Sequence, residues 1–140
     1  MLSVSHGCFG RWIAALLAAF LLSGAALAAD PLFVNLTSDD GHRAHMAIAF
    51  SQTALEAGHP VTIFLNVDAV KIAATKARKQ QHNREMLEKF MKSGGKVLAC
   101  PHCVEHAKLE EADLIEGVQI GKYEITQEAL FAPGGRSLSW

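Results

Sequence analysis

Three short apolar runs, each followed by a polar loop and a segment of helical periodicity, constrain the fold of this chain more than any other feature. The runs cover residues 31–36, 61–65 and 96–100 and are almost continuous in apolar side chains. Such runs are typical of strands that are buried on both faces of a parallel sheet. Helical periodicity over 42–57 and 80–92 predicts the crossover connections that parallel strands need. The order predicts a single three-layer α/β domain with a mostly parallel sheet.

The second half of the chain adds shorter elements of the same kind. Pro101 suits the first position of a helix, where its missing N–H is no loss. The further predicted elements are a short helix within 69–76, a helix from Cys100 to about Leu109, a strand at 118–120, a helix over 123–131 and an edge strand over 137–140.

The N-terminal segment has the composition of an export signal rather than of a folded element. Arg11 is the only charged residue before Asp30, and it precedes an apolar run over 12–22 and then small residues. This order predicts a signal peptide over residues 1–28, cleaved after Ala28. An uncleaved N-terminal anchor is the alternative, because the segment stays uncharged up to residue 29.

Cleavage would leave residues 29–140 as one mature domain in the periplasm or another exported location. The whole chain is 50% hydrophobic and 19% charged, with a formal net charge of −1. This composition excludes intrinsic disorder and disfavours nucleic-acid binding through a basic field. No later stretch approaches the ~20 apolar residues of a bilayer span, so we expect no membrane span after cleavage.

A Cys-x-x-Cys motif carries the strongest chemical signal. Cys100 ends a predicted strand and begins a predicted helix, and loops at the carboxyl ends of parallel strands form the ligand crevice of open α/β sheets. Unpaired N–H groups at a helix start stabilise a thiolate, which favours Cys100 as a nucleophile. Cys103 lies one turn later and is a natural resolving thiol. His102 and His106 add imidazoles that, when protonated, would stabilise the thiolate further.

The same residues leave two other chemistries open. Cys100, Cys103 and His106 could bind copper or zinc, with His42 or His45 as a fourth ligand, although one Cys-x-x-Cys is a weak zinc signal. A structural disulfide or two inert thiols form the plainest interpretation, but a loop this short constrains the unfolded chain little.

The tetrapeptide Cys-Pro-His-Cys also resembles the motif of DsbA-type thiol oxidoreductases. In those proteins the motif follows an early strand, whereas only 37 residues follow Cys103 here, and their sole proline is Pro133. Thiol-disulfide exchange therefore remains an alternative on local chemistry alone.

The loop after the first strand, residues 37–43, could line the same crevice. Asp39 or Asp40 suits an N-cap, and two aspartates argue against phosphate binding. Arg43 could hold an anionic sulfur species. His59 and His82 have the setting of solvated surface residues.

Five segments in a fixed order give the chain a resemblance to the DsrE/DsrF-like family of small sulfur-relay proteins. They are PLFVNLTSDD (31–40), RAHMAIAF (43–50), VTIFLN (61–66), VLACPHC (97–103) and ADLIEGV (112–118).

The resemblance, which covers about residues 31–140, implies a compact α/β domain that forms homo-oligomers. It also implies a persulfide on a cysteine after a middle strand, which is Cys100 by position. The expected function is transfer of sulfane sulfur through Cys100, with Cys103 as partner thiol and without a cofactor. The expected partners are sulfur donors and acceptors. Export and the second cysteine depart from many relatives, because an oxidising compartment could hold the pair as a disulfide.

Overall fold

The computed structural model describes residues 29–140, and the predicted signal peptide lies outside the described residues. Strands and helices alternate along the described chain, as the apolar runs predict. Their bounds are β1 Leu32–Leu36, α1 Gly41–Glu56, β2 Val61–Leu65, α2 Gln81–Lys92, β3 Lys96–Ala99, α3 Pro101–His106, β4 Gln119–Ile120, α4 Tyr123–Leu130 and β5 Arg136–Ser139.

The described strands form one five-stranded sheet in the order β4-β3-β2-β1-β5. Every neighbouring pair is parallel, so the prediction of a mostly parallel sheet is confirmed. In register, Leu36 lies opposite Leu65, and Leu65 lies opposite Ala99. The carboxyl ends of β1, β2 and β3 therefore meet at one edge, with β2 between the other two.

The two faces of the sheet are covered by different helices. On one face, α1 and α2 cover a fully buried set of strand side chains, which includes Val34, Leu36, Ile63, Leu65 and Ala99. Burial of this face supplies most of the hydrophobic stabilisation of the domain. On the other face, α4 leaves a cleft of about 400 Å³ against the amino-terminal half of the sheet. The three layers are those that the sequence predicts.

Helix α1 begins and ends where the residue types predict. The Asp40 side chain accepts a hydrogen bond from the Arg43 N–H at 2.9 Å and so caps α1. Gly58 follows α1 with φ +93°, a left-handed conformation that glycine adopts at little cost.

Two helical predictions differ in detail from the structure. The short helix predicted within 69–76 is a 3₁₀ helix over Val67–Ala73. The helix that begins at Pro101 ends at His106 rather than near residue 109, because Lys108 adopts a left-handed conformation with φ +60°. The chain therefore turns away from the helix one turn early.

Among residues 29–140, no helix has both the length and the apolar character that a membrane crossing requires.

Candidate functional site: a thiol pair at the carboxyl edge

Cys100 occupies the turn between β3 and α3, as predicted. Its backbone N–H donates to the Leu65 carbonyl at 2.9 Å, which extends the pairing between β3 and β2 by one residue. Its own backbone is extended and caps α3, and Pro101 is the first helical residue. The Cys100 carbonyl accepts hydrogen bonds from the backbone N–H groups of Cys103 and Val104, and these bonds form the first turn of α3. Side-chain burial at Cys100 is partial, which leaves the thiol open to a reactant.

Two groups of the loop after β2 form hydrogen bonds with Cys103. Its Sγ lies 3.1 Å from the Asn66 Oδ1, a contact in which the thiol donates and the amide oxygen accepts. The Val67 backbone N–H donates to the same sulfur at 3.2 Å. The Val67 N–H also lies 2.9 Å from the Asn66 Oδ1, so the three groups form a closed triangle. Both cysteines are free thiols.

Sheet pairing places the loop after β2 beside the cysteines. The Asn66 N–H donates to the Leu36 carbonyl at 2.8 Å, which fixes the first loop residue at the sheet edge. Val67 then has φ +51°, although β-branched residues strongly disfavour the left-handed region. Its side chain is 55% exposed, so burial offsets little of the strain. The strained residue is therefore the one whose backbone N–H donates to the Cys103 sulfur.

The environments of the two sulfurs give them different chemistry. Burial raises the pKa of the Cys103 thiol, and the hydrogen bond with the Cys100 thiol raises it further. The Val67 N–H has the opposite effect, while the charge of Asp68 adds a smaller increase to this pKa. Donation to the Asn66 oxygen also favours the neutral thiol. Cys103 is therefore held as a protonated group next to Cys100.

The histidines predicted for the thiol site lie on the exposed side of α3. His102 and His106 are exposed, and neither forms a hydrogen bond to a cysteine within residues 29–140. In the same part of the chain, no group of three or more Cys, His, Asp or Glu side chains lies close enough to share a metal ion.

His42 and His45 belong to a separate cleft. Its other lining residues include Lys79, His82 and Asn83, and neither cysteine is among them. His82 is exposed, as predicted, and its Nε2 also lies 3.3 Å from the His45 Nδ1.

The polar groups of the loop after β1 are used within the fold. Asp40 rather than Asp39 provides the N-cap of α1. The Asp39 carbonyl accepts from the Gln80 side chain at 2.6 Å, and the Gly41 carbonyl accepts from Asn83 at 3.0 Å. Arg43 is exposed, and within the described chain no hydrogen bond joins this loop to a cysteine.

Asn66 and Val67 are the site residues that the sequence analysis missed. Ligands of open α/β sheets bind at the carboxyl ends of the strands, and the sequence analysis considers the loops after β1 and β3 on this ground. The same rule applied to the 61–65 run indicates residues 66–68, which directly follow it.

The fold and the site together define a class: an all-parallel α/β domain with two adjacent thiols at the carboxyl edge of an inner strand. The sequence profile of the DsrE/DsrF-like family matches residues 31–132, and the chain belongs to this family. The family assignment supports a sulfur-relay type of fold.

An individual relative matches part of the chain by sequence. The chain is 36% identical over 80 residues to the uncharacterized protein MK0008 of Methanopyrus kandleri, a match over 56% of this chain and 66% of the relative. The chain thus spans just under two thirds of the length of that relative.

Solved structures match over a larger part of the chain. The ychN protein of E. coli has a TM-score of 0.64 at 19% identity, over 79% of this chain and 99% of that one. MTH1491 of Methanobacterium thermoautotrophicum has a TM-score of 0.63 at 15% identity, over 79% and 99%. At these identities the likeness concerns the fold alone.

Proposed function

We propose that this protein carries sulfane sulfur as a persulfide on Cys100 and that Cys103 is its partner thiol. The observation that carries the proposal is the asymmetry of the pair. Both side chains are partly exposed, but only Cys103 is hydrogen-bonded to the loop after β2 and held in its neutral form, which leaves Cys100 as the thiol that is free of that loop within the described residues. Membership of the DsrE/DsrF-like family supports the same chemistry.

Loading requires a donor that itself carries a persulfide or polysulfide. The Cys100 thiolate attacks the outer sulfur of the donor, a new S–S bond forms on Cys100, and the donor thiolate leaves. The sulfane sulfur changes carrier in this step, and no external oxidant is needed. Transfer to an acceptor thiolate repeats the step in the other direction.

Mass spectrometry of the mature protein after exposure to polysulfide tests this proposal. We expect one or more added sulfur atoms on Cys100 that a reductant removes. The Cys100→Ser variant should lose this adduct completely, and the matched Cys103→Ser variant should keep it. Equal loading of the Cys100→Ser variant would exclude the assignment of Cys100 as the carrier.

Thiol-disulfide exchange is the second candidate, and the contact between the two thiols favours it. A disulfide would form when the Cys103 thiolate attacks the Cys100 sulfur of a mixed disulfide with a substrate thiol. The bond between Cys100 and the substrate sulfur breaks, and the substrate leaves as a thiolate. If polysulfide yields only a reducible bond between Cys100 and Cys103, with no added sulfur in any variant, this candidate replaces the first.

The proposal extends to export and assembly. A mature N-terminus at residue 29 would support an exported protein, and an intact mass that includes Met1 would count against it. Exposed apolar side chains, among them Met46 and Phe50 one turn apart on α1, support assembly into a homo-oligomer. Sedimentation of the purified protein tests this assembly, and a monomer at micromolar concentration would contradict it.

A further inference from the structure

The loop after β2 places three groups where they act on the reactivity of Cys103. We infer that Asn66 is a positioning residue that keeps Cys103 protonated and thereby delays the discharge of sulfur from Cys100. This inference rests on the proposed function, since discharge presupposes that Cys100 has been loaded.

The discharge step follows from the proximity of the two thiols. The Cys103 thiolate attacks the inner sulfur of the Cys100 persulfide, and a bond forms between Cys100 and Cys103 while the outer sulfur leaves as hydrosulfide. The sulfane sulfur is reduced and the two cysteines are oxidised to a disulfide, so atoms and electrons balance. A dithiol reductant must then restore the pair before another cycle.

Only the thiolate form of Cys103 can carry out this attack. The Asn66 Oδ1 accepts a hydrogen bond from the Cys103 thiol, with 3.1 Å between the oxygen and the sulfur. The thiolate has no proton and cannot make this bond. The same oxygen lies 2.9 Å from the Val67 N–H, so it competes for the donor that would otherwise stabilise the thiolate. Asn66 therefore favours the unreactive form in two ways. The ionisable groups that also act on Cys103 are Cys100 and Asp68.

Two substitutions of Asn66 should have effects of opposite sign. Asn66→Ala removes the acceptor and leaves the Val67 N–H to the sulfur alone, so the thiolate becomes more populated. Asn66→Asp keeps an acceptor of the same shape and adds a negative charge, so the thiolate becomes less populated. We expect each substitution to change the rate about two- to fivefold, because the change in thiolate population is partly offset by the lower nucleophilicity of a more acidic thiol.

The test measures the release of hydrogen sulfide from polysulfide-loaded protein after excess polysulfide is removed. We expect the release rate to rise in the order Asn66→Asp, wild type, Asn66→Ala. Cys103→Ser should release no hydrogen sulfide in the absence of an external thiol. Asn83→Ala is the matched control, because Asn83 also supports a loop at this edge but contacts neither cysteine. A purely structural role of Asn66 would shift both Asn66 variants in the same direction, and that result would overturn the inference.

A second measurement needs no sulfur loading. In a Cys100→Ser background, the rate of Cys103 alkylation as a function of pH gives the titration midpoint of the thiol. We expect a lower midpoint for Asn66→Ala and a higher midpoint for Asn66→Asp. Unchanged midpoints would overturn the inference. Shifted midpoints in a protein whose Cys100 never accepts sulfur would instead refute the proposed function and preserve the assigned effect of Asn66 on Cys103.

Discussion

The loops that follow β1 and β2 leave the sheet at the same edge, and each begins with a short polar residue. The first loop contains two aspartates and leads to two histidines, which makes it the richer of the two in chemical groups. The second loop contains Asn66, Val67 and Asp68 and has less obvious chemistry. Even so, it is the second loop whose side chain and backbone form hydrogen bonds with Cys103.

The strand order explains this difference. β2 lies between β1 and β3, so the chain that leaves β2 emerges directly beside the chain that leaves β3. The first loop turns instead toward the start of α2, where Gln80, just before the helix, and Asn83, in its first turn, donate to the carbonyls of Asp39 and Gly41. Proximity to a reactive cysteine is therefore decided by sheet neighbours rather than by how many functional groups a loop contains. Four substitutions test this division between the loops.

The largest expected effect comes from the support of the first loop. Asn83 is only 4% exposed and donates to the Gly41 carbonyl and to the Gln80 side chain. Asn83→Ala leaves both acceptors without this donor, so we expect a loss of about 1–3 kcal/mol in the free energy of unfolding. Urea denaturation measures this loss. The alkylation rate of Cys103 should stay unchanged, and a clear change would show that the two loops are coupled.

The cap of α1 should have a smaller effect. Asp40→Ala removes the acceptor of the Arg43 N–H, so we expect a loss of about 1 kcal/mol in the free energy of unfolding. Asp39→Ala is the matched control, because the Asp39 side chain does not provide the cap. Equal losses for both variants in thermal or urea denaturation would contradict the assignment of Asp40.

Substitution in the second loop should act in the opposite direction. Val67→Gly relieves a left-handed conformation that costs a β-branched residue about 1–2 kcal/mol, while the more flexible unfolded chain offsets up to ~1 kcal/mol. We therefore expect the free energy of unfolding to stay the same or to rise by up to about 1 kcal/mol. The backbone N–H remains, so Cys103 should keep its reactivity. A marked loss of stability would indicate that the Val67 side chain contributes packing.

The smallest expected effect concerns charge in the second loop. The negative charge of Asp68 raises the pKa of Cys103, so Asp68→Asn should lower this pKa and increase the thiolate fraction at neutral pH. We expect alkylation of Cys103 in the Cys100→Ser background to become less than about twofold faster, with the difference removed in 1 M salt by screening. Asp39→Asn, in the first loop, should leave the rate unchanged. An equal acceleration by both variants would remove the distinction between the loops.

Much of the architecture could be predicted because its signals are local. The apolar runs at 31–36 and 61–65 correspond to β1 and β2, and the helical periodicity of 42–57 corresponds to α1. The end of α3 was less predictable, since it depends on a left-handed Lys108 that no residue preference indicates. The position of Cys100 at a strand end was also predictable from the 96–100 run and Pro101.

The partners of Cys103 could not be predicted in the same way. Asn66 lies 37 residues before Cys103 in the chain, and a polar residue after a strand has many possible uses. The sequence also did not indicate that His45 lies apart from the cysteines and pairs with His82. Contacts of this kind depend on which strands are neighbours, and periodicity does not specify strand order.

The sequence by itself determined the α/β alternation and the thiol motif between β3 and α3, because spacing and residue type act over a few residues. Only the tertiary structure decided that β2 lies beside β3 and that the strained Val67 backbone faces the Cys103 sulfur. It also decided that one thiol of the pair is held by hydrogen bonds. These features arise from packing between distant segments, where burial of the whole sheet stabilises a local conformation that the chain would otherwise avoid.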